Sequence, residues 1–199
     1  MIDPRRITNF QRTEAELREF AMFCIAVAGK SSEMQAKKLD IFLAPHTHLP
    51  FERIKSLEAT GNFMDVLMQS KLGQYKRIGK AFLALANSGL DLRTCTVEEL
   101  EKIPGLGLKT SRFFLCHTRP NQNYGVLDTH LLSHMREDLN IPTPKATPSN
   151  PKVYYALEAK LLEVIKASGK TYAEYDLDVW KSRQKNRAPL EQLSVAHSG

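Results

Sequence analysis

Two polar side chains stand at a spacing that could support covalent chemistry. Lys109 lies in the segment LEKIPGLGLKTSRFFL, and Asp128 follows nineteen residues later in YGVLDTHLL. A neutral lysine amine can attack an electrophilic carbon and form a Schiff base, and an aspartate can take a proton or stabilise a developing positive charge. Each residue also has a simpler interpretation, Lys109 as a phosphate contact and Asp128 as a helix N-cap. The elements that position the two side chains therefore decide between these interpretations.

Lys109 follows a short glycine-containing turn between two predicted helices. Thr96-x-x-Glu99 is a capping box that begins the first helix, and Pro104-Gly105-Leu106-Gly107 ends it before a second helix runs to His117. Glycine permits positive φ values and close backbone approach, and the free N–H groups at a helix N-terminus favour an anion. The segment predicts a phosphate-binding hairpin. A plain turn between two packed helices is the alternative.

The composition favours a polyanionic partner. Twenty-eight Lys and Arg residues against 22 Asp and Glu residues give a net charge of +6, and each phosphate that a basic protein neutralises releases counterions. The three cysteines, Cys24, Cys95 and Cys116, form no CxxC pair, which argues against a zinc or iron–sulfur site and suits a reducing compartment. No apolar run approaches the roughly 18 residues of a membrane span.

The rest of the chain predicts helices and no strand. Thr13-x-x-Glu16 and Thr171-x-x-Glu174 are further capping boxes, and Gly169 ends a long helix that begins near residue 152. Four prolines in residues 140–151 indicate an ordered crossover or a linker. Apolar periodicity is lost from Lys181 on, so a loose tail is expected there. These patterns predict an all-α fold.

The segment IPGLGLKTSRFFL followed by VLDTHLL resembles the helix-hairpin-helix superfamily of DNA glycosylases. The motifs agree over residues 98–132, and the order of helices agrees over about 15–180. A lysine in the helix after the hairpin is similar to the bifunctional members, such as endonuclease III and the 8-oxoguanine DNA glycosylases, which combine glycosylase and AP lyase activity. The resemblance implies two helical lobes with the active site in the cleft between them. Residues 29–120 would form the central lobe, residues 1–28 and 121–182 the second lobe, and residues 183–199 a flexible tail.

The resemblance also implies roles for individual residues. Lys109 would attack C1′ of a flipped-out nucleotide and displace the base, and β-elimination would then nick the strand. The lysine must attack as a neutral amine, a form that a helix N-terminus and burial would both favour. Asp128 would stabilise the sugar cation and help to take the proton from Lys109. The expected DNA contacts are Pro104, Gly105, Leu106, Gly107, Thr110 and His130, with Arg112 as a further phosphate contact. The family also holds a cation on hairpin carbonyls, here those of Glu101, Ile103 and Leu106, while no side-chain metal site and no cofactor are expected.

The identity of the base depends on a second pair of residues. Asp176 lies four residues before Trp180, the single tryptophan, on one face of a predicted helix. Trp180 could stack on a flipped purine while Asp176 bonds to its N–H groups, or Trp180 could simply anchor the helix in the core. The Asp-x-x-x-Trp pattern resembles microbial and archaeal 8-oxoguanine glycosylases, and the missing cysteine loop argues against the iron–sulfur branch.

The expected function is excision of a damaged base, 8-oxoguanine being favoured, from double-stranded DNA, and abasic-site DNA would be a second substrate. A glycosylase for another modified base or an oxidised pyrimidine, and a non-catalytic helix-hairpin-helix DNA-binding protein, are the alternatives. A monomer without a membrane partner is expected. The expected location is cytoplasmic and nucleoid-associated in a prokaryote, or nuclear in a eukaryote.

Overall fold

The computed structural model describes residues 1–122 and 124–195, with side chains described up to residue 183. Over these residues the fold is all-α and contains no strand, as the sequence predicts. The helices in chain order are α1 (Glu14–Ala26), α2 (Ser32–Leu43), α3 (Pro50–Ala59), α4 (Phe63–Gln69), α5 (Tyr75–Asn87), α6 (Val97–Glu101), α7 (Leu108–Thr118), α8 (Thr129–Glu137), α9 (Pro151–Ser168) and α10 (Tyr172–Val195).

The chain forms two compact units, Met1–Pro120 and Asn121–Gly199. The first unit is built around α1, which packs against α2, α3, α5 and α7. Every residue from Phe20 to Ala26 is buried, so this half of the helix requires apolar neighbours on all sides. The predicted division is therefore replaced by a different one, because the helix within residues 1–28 joins the first unit and not the second lobe.

Local signals in the sequence set the beginning of α1, and aromatic side chains of α7 pack against it. The Thr13 amide donates to Glu16 Oε2 at 2.7 Å, and the Glu16 amide donates to Thr13 Oγ1 at 3.3 Å. This reciprocal cap satisfies two N–H groups that no helical carbonyl can reach. Phe20 then packs against the rings of Phe113 and Phe114 on α7, with centroid distances of 6.1 and 6.0 Å. The core of the first unit therefore holds α7 against α1.

The second unit consists of α8, α9 and α10 with an ordered crossover between α8 and α9. Within the crossover, Thr143 Oγ1 donates to the Leu132 carbonyl and Thr147 Oγ1 donates to the Leu127 carbonyl, both at 2.7 Å. The helix α10 continues to Val195, beyond the predicted start of a tail at residue 183. Of that predicted tail, residues 196–199 lie outside the described residues.

Candidate functional site

A tight turn connects α6 and α7, and its apolar side chains are buried in the core. The amide of Ile103 donates to the Leu100 carbonyl at 2.9 Å, and the amide of Leu106 donates to the Ile103 carbonyl at 3.0 Å. The side chains of Leu100, Ile103 and Leu106 are all buried. Leu106 thus faces the interior, so a DNA contact by this residue would have to use its backbone.

The two glycines of the turn have different surroundings. Gly105 has φ +88°, and a Cβ atom there would lie 2.9 Å from Ala81 Cβ and 3.4 Å from Ile25 Cγ2. Gly107 has φ −80°, and a Cβ atom there would meet nothing within 4 Å. Gly105 is therefore required by packing and by backbone conformation. At Gly107 the protein itself leaves the space open.

The N-terminus of α7 carries backbone donors that no described residue uses. Gly107 is the N-cap and supplies no side-chain cap, and the first backbone bond of the helix runs from the Ser111 amide to the Gly107 carbonyl at 3.0 Å. Among the described residues, the amides of Leu108, Lys109 and Thr110 therefore have no acceptor. The Thr110 side chain is only 9% exposed. Unused amides at the positive end of a helix form a favourable place for an anion.

Lys109 occupies the second position of α7 and is half-buried. Within the described part of the chain, its side chain makes no hydrogen bond and no ion pair. Its positive charge acts on the buried Cys24 thiol of α1. Burial raises the pKa of that thiol well above its usual range, and the charges of Arg12 and Lys109 oppose the rise. Lys109 thus keeps its amine available at the same helix end that presents the unused amides.

Arg112 is not a free phosphate contact. Its side chain is 5% exposed, and Nη1 lies 2.5 Å from Glu101 Oε1 and 3.0 Å from the Leu108 carbonyl. The sequence prediction failed here because the partner carboxylate reaches Arg112 only when α6 folds back against α7. The carbonyls predicted to hold a cation are partly used as well. Ile103 O accepts from the Leu106 amide, and Leu106 O accepts from Ser111 Oγ at 3.0 Å.

Asp128 is the N-cap of α8, as its simpler interpretation requires. Its Oδ1 accepts a hydrogen bond from the Leu131 amide at 2.8 Å. The segment before it is held by buried side chains of α9. Tyr154 donates to the Gly125 carbonyl at 3.0 Å and accepts from the Leu127 amide at 3.2 Å, and Glu158 Oε1 accepts from the Gly125 amide at 2.9 Å. This framework holds the Asp128 carboxylate in one place and orientation.

Asp176 on α10 interacts electrostatically with Asp128. Desolvation of the carboxyl group and the negative charge of Asp128 raise the pKa of Asp176 to about 7. A side-chain hydrogen bond with Tyr172 opposes that rise. Both aspartates belong to the second unit, as do the predicted contact His130 and the predicted pocket residue Trp180. Lys109 belongs to the first unit. The two aspartates, which the sequence did not predict as a pair, thus interact electrostatically within the second unit.

Trp180 and His130 differ in how far they reach the surface. Trp180 is 39% exposed, so part of its ring reaches the surface. His130 is half-buried and makes no hydrogen bond to another described residue. An exposed tryptophan one helical turn from Asp176 offers a flat apolar surface next to a carboxyl group.

Sequence patterns alone did not single out the supporting residues Tyr154, Glu158 and Tyr172. A signal for the first two was present, because they occupy one turn of the buried stripe of α9 that also contains Leu161, and a carboxylate in such a stripe demands a partner. Tyr172 precedes Asp176 by one helical turn, so this contact could have been found from spacing.

No protein-family model, no curated protein and no solved structure matches this chain. Among the described residues there is no group of three or more His, Cys, Asp or Glu side chains arranged to hold a metal ion. In the same part of the chain, no helix has the length and apolar character needed to cross a membrane. The resemblance to DNA glycosylases therefore rests on the sequence motifs.

Proposed function

We propose that this protein is a DNA glycosylase with AP lyase activity that removes a damaged base from double-stranded DNA, with 8-oxoguanine as the favoured base. The observation that carries the proposal is the position of Lys109 and the absence of a described partner for its amine. This lysine sits at the second position of α7. It also follows an N-cap glycine whose Cβ direction is open. A lysine that served only the fold would be expected to cover apolar surface or pair with a carboxylate.

Binding of the DNA backbone is supported by the unused amides of the same helix end. A phosphate at Gly107 would accept hydrogen bonds from the amides of Leu108 and Lys109 and would interact favourably with the helix dipole. Such contacts are independent of base sequence, so they position the duplex without reading it. The net charge of +6 adds an attraction that weakens with salt.

The proposed reaction begins with attack by the neutral Nζ of Lys109 on C1′ of a flipped-out nucleotide. The bond between C1′ and the base nitrogen breaks, and its electron pair leaves with the base. Loss of the lysine proton and opening of the sugar ring give an iminium, and removal of a C2′ proton then expels the 3′ phosphate by β-elimination. Hydrolysis of the imine frees Lys109. Asp128, held as the N-cap of α8, would stabilise the positive charge that develops on the sugar.

Recognition of the base is assigned to Trp180 and Asp176. The exposed Trp180 ring would stack on the flipped base, and Asp176, one helical turn earlier, would bond to its edge. Every base has a flat face that can stack on an aromatic ring, so stacking discriminates little between bases. The contacts with Asp176 would therefore contribute more to specificity.

The experiment that tests the proposal is borohydride trapping on a duplex with 8-oxoguanine opposite cytosine, run beside a duplex with an abasic site. We expect a covalent adduct with the wild-type protein and none with Lys109→Gln. Lys102→Gln is the matched control, because Lys102 is an exposed lysine in the same turn. Its adduct should persist. No wild-type adduct on either duplex would refute the lyase chemistry and favour the non-catalytic DNA-binding alternative.

Asp128→Asn separates catalysis from capping in the same assay. Asparagine caps a helix about as well as aspartate, so the bond with the Leu131 amide should survive and the protein should still bind DNA. Loss of the negative charge should slow base release by roughly 10²–10⁴-fold. A variant that binds DNA and releases the base at the wild-type rate would show that Asp128 is only a cap.

A further inference from the structure

The helix α10 has little apolar packing to fix its orientation. Among the side chains described for this helix, only those of Tyr172 and Val179 are buried. Leu177 is 42% exposed and Trp180 is 39% exposed. A helix that buries so few apolar side chains gains little hydrophobic stabilisation from its neighbours. Polar contacts therefore contribute much of what holds this part of α10 in one orientation.

The contacts of α10 with α8 lie along one row of side chains. Tyr175, Val179 and Arg183 are spaced by four residues, so they share a face of the helix. The hydroxyl of Tyr175 lies 2.7 Å from Nε2 of His134 on α8. Val179, in the middle of the row, is buried. This row, Tyr175, Val179 and Arg183, is the side of α10 that faces α8.

Arg183 makes most of the polar contacts in this row. Its Nη1 donates to Ser133 Oγ at 2.9 Å and to Glu137 Oε2 at 2.6 Å, and its Nη2 donates to Asp138 Oδ2 at 2.9 Å. Bonds from one planar group to three partners fix its direction as well as its distance. The same Asp138 oxygen lies 2.7 Å from His134 Nδ1. Because His134 also contacts α10, the network joins the two helices at both ends of the row.

The residues assigned to base recognition lie on the neighbouring row of α10. Asp176 and Trp180 each come one position after a member of the row that faces α8, which is about 100° around the helix. Trp180 also precedes Arg183 by three residues, within one helical turn. A rotation or shift of α10 on α8 would therefore displace Trp180. The helix α8 has nine residues and Asp128 as its N-cap, so one short helix supports both Asp128 and α10.

We propose that Arg183 is a positioning residue that holds α10 on α8 and thereby places Trp180 for stacking on the flipped base. This inference rests on the proposed glycosylase function and adds to it a determinant of base recognition. Without the guanidinium, α10 could turn on α8 and hold the base out of the reacting geometry. A displacement of about 1 Å can slow a reaction roughly 10²-fold. Nicking at an abasic site has no base to position, so it should not depend on Arg183.

Single-turnover release of 8-oxoguanine and nicking of an abasic-site duplex, both at saturating protein, test the role. Arg183→Gln should slow release about 10- to 100-fold and leave nicking within about twofold of the wild type. Lys181→Gln removes the same charge from an exposed position of α10 and should match the wild type in both assays. The α8 variant Glu137→Gln/Asp138→Asn should also slow release, although it keeps the charge of Arg183. A direct contact of Arg183 with DNA would predict no loss in that variant.

Trp180 is the single tryptophan, so its fluorescence reports the position of α10 in the protein without DNA. Its anisotropy should fall in Arg183→Gln, because the helix gains freedom, and should keep the wild-type value in Lys181→Gln. Ion pairs at the surface contribute little to global stability, so the urea midpoints of all variants should agree within about 0.5 M. This measurement does not depend on glycosylase activity.

The outcomes distinguish the inference from the proposed function. Absence of a Lys109-dependent adduct on either duplex overturns the function, and the inference with it. Formation of the adduct with wild-type release by Arg183→Gln overturns the inference alone. Equal loss of release and nicking would assign Arg183 to the fold in general, and wild-type release by the α8 variant would assign it to a direct DNA contact, so either result overturns the positioning role. Unchanged Trp180 anisotropy in Arg183→Gln overturns it as well. Adducts on abasic DNA without release of 8-oxoguanine overturn the inference as stated.

Discussion

The contrast between Gly105 and Gly107 gives the sharpest test of how the turn between α6 and α7 works. Alanine at Gly105 would carry its Cβ to 2.9 Å from Ala81 Cβ while the backbone remains at φ +88°. Alanine at Gly107 would carry its Cβ into open space at an ordinary φ of −80°. The same methyl group thus meets the protein core at one position and the proposed phosphate position at the other.

The structure sets the expected size of each effect. The left-handed backbone should cost alanine at Gly105 about 1–2 kcal/mol, and the overlap with Ala81 a further 1–3 kcal/mol or so. Gly105→Ala should therefore lower the free energy of unfolding by about 2–5 kcal/mol. Gly107→Ala should change it by less than about 0.5 kcal/mol, because the weaker N-cap is offset by a smaller loss of chain entropy. Removing one phosphate contact should weaken DNA binding roughly 10- to 100-fold.

Urea unfolding followed by circular dichroism, and DNA binding followed by fluorescence anisotropy at several salt concentrations, measure these effects. Gly105→Ala should shift the unfolding midpoint to lower urea by about 1 M or more. Gly107→Ala should unfold like the wild type, bind more weakly, and show a slope of log affinity against log salt that is smaller by about 1. Wild-type stability of Gly105→Ala would refute the packing argument. Wild-type DNA affinity of Gly107→Ala would refute the assignment of this open face to a phosphate.

Two further predictions concern buried groups. Tyr154→Phe removes two hydrogen bonds from the segment before Asp128 and should destabilise the protein by about 1–3 kcal/mol and slow base release, as urea unfolding and single-turnover kinetics will measure. Burial, with a smaller effect of nearby Arg12, lowers the pKa of His117 to about 3, so the unfolded chain binds a proton below about pH 6.5 that the folded protein refuses. Stability should therefore fall with decreasing pH from about 6.5 towards 3, by at most about 5 kcal/mol on the scale of about 1.4 kcal/mol per pH unit. Because the raised pKa of Asp176 acts in the opposite direction between about pH 4 and 7, the measurement is the difference in unfolding free energy between wild type and His117→Gln. A constant difference over that pH range would contradict the assignment to His117.

Much of the local structure followed from short-range patterns in the sequence. The capping boxes at Thr13, Thr96 and Thr171 form as predicted, because each needs only a hydroxyl and a carboxylate three residues apart. Asp128 begins its helix through a similarly local contact, because its own carboxylate accepts from the backbone amide of Leu131 three residues later. Gly105 has the positive φ that the sequence allowed. These features depend on a few neighbouring residues, so a single sequence contains all the information they require.

The tertiary structure decided which of the polar residues are available for chemistry. Lys109 and Arg112 are cations on the same short helix, yet Arg112 is bound to Glu101 across the turn and Lys109 has no partner in the described part of the chain. The spacing that first singled out Lys109 and Asp128 could not show this difference, nor that Asp128 would raise the pKa of Asp176. Ion pairing and desolvation depend on groups that only the folded chain brings together. The sequence determined the helices, the turn and the types of reactive group, and the packing of α6 on α7 and of α8 on α10 decided the charge and accessibility of those groups.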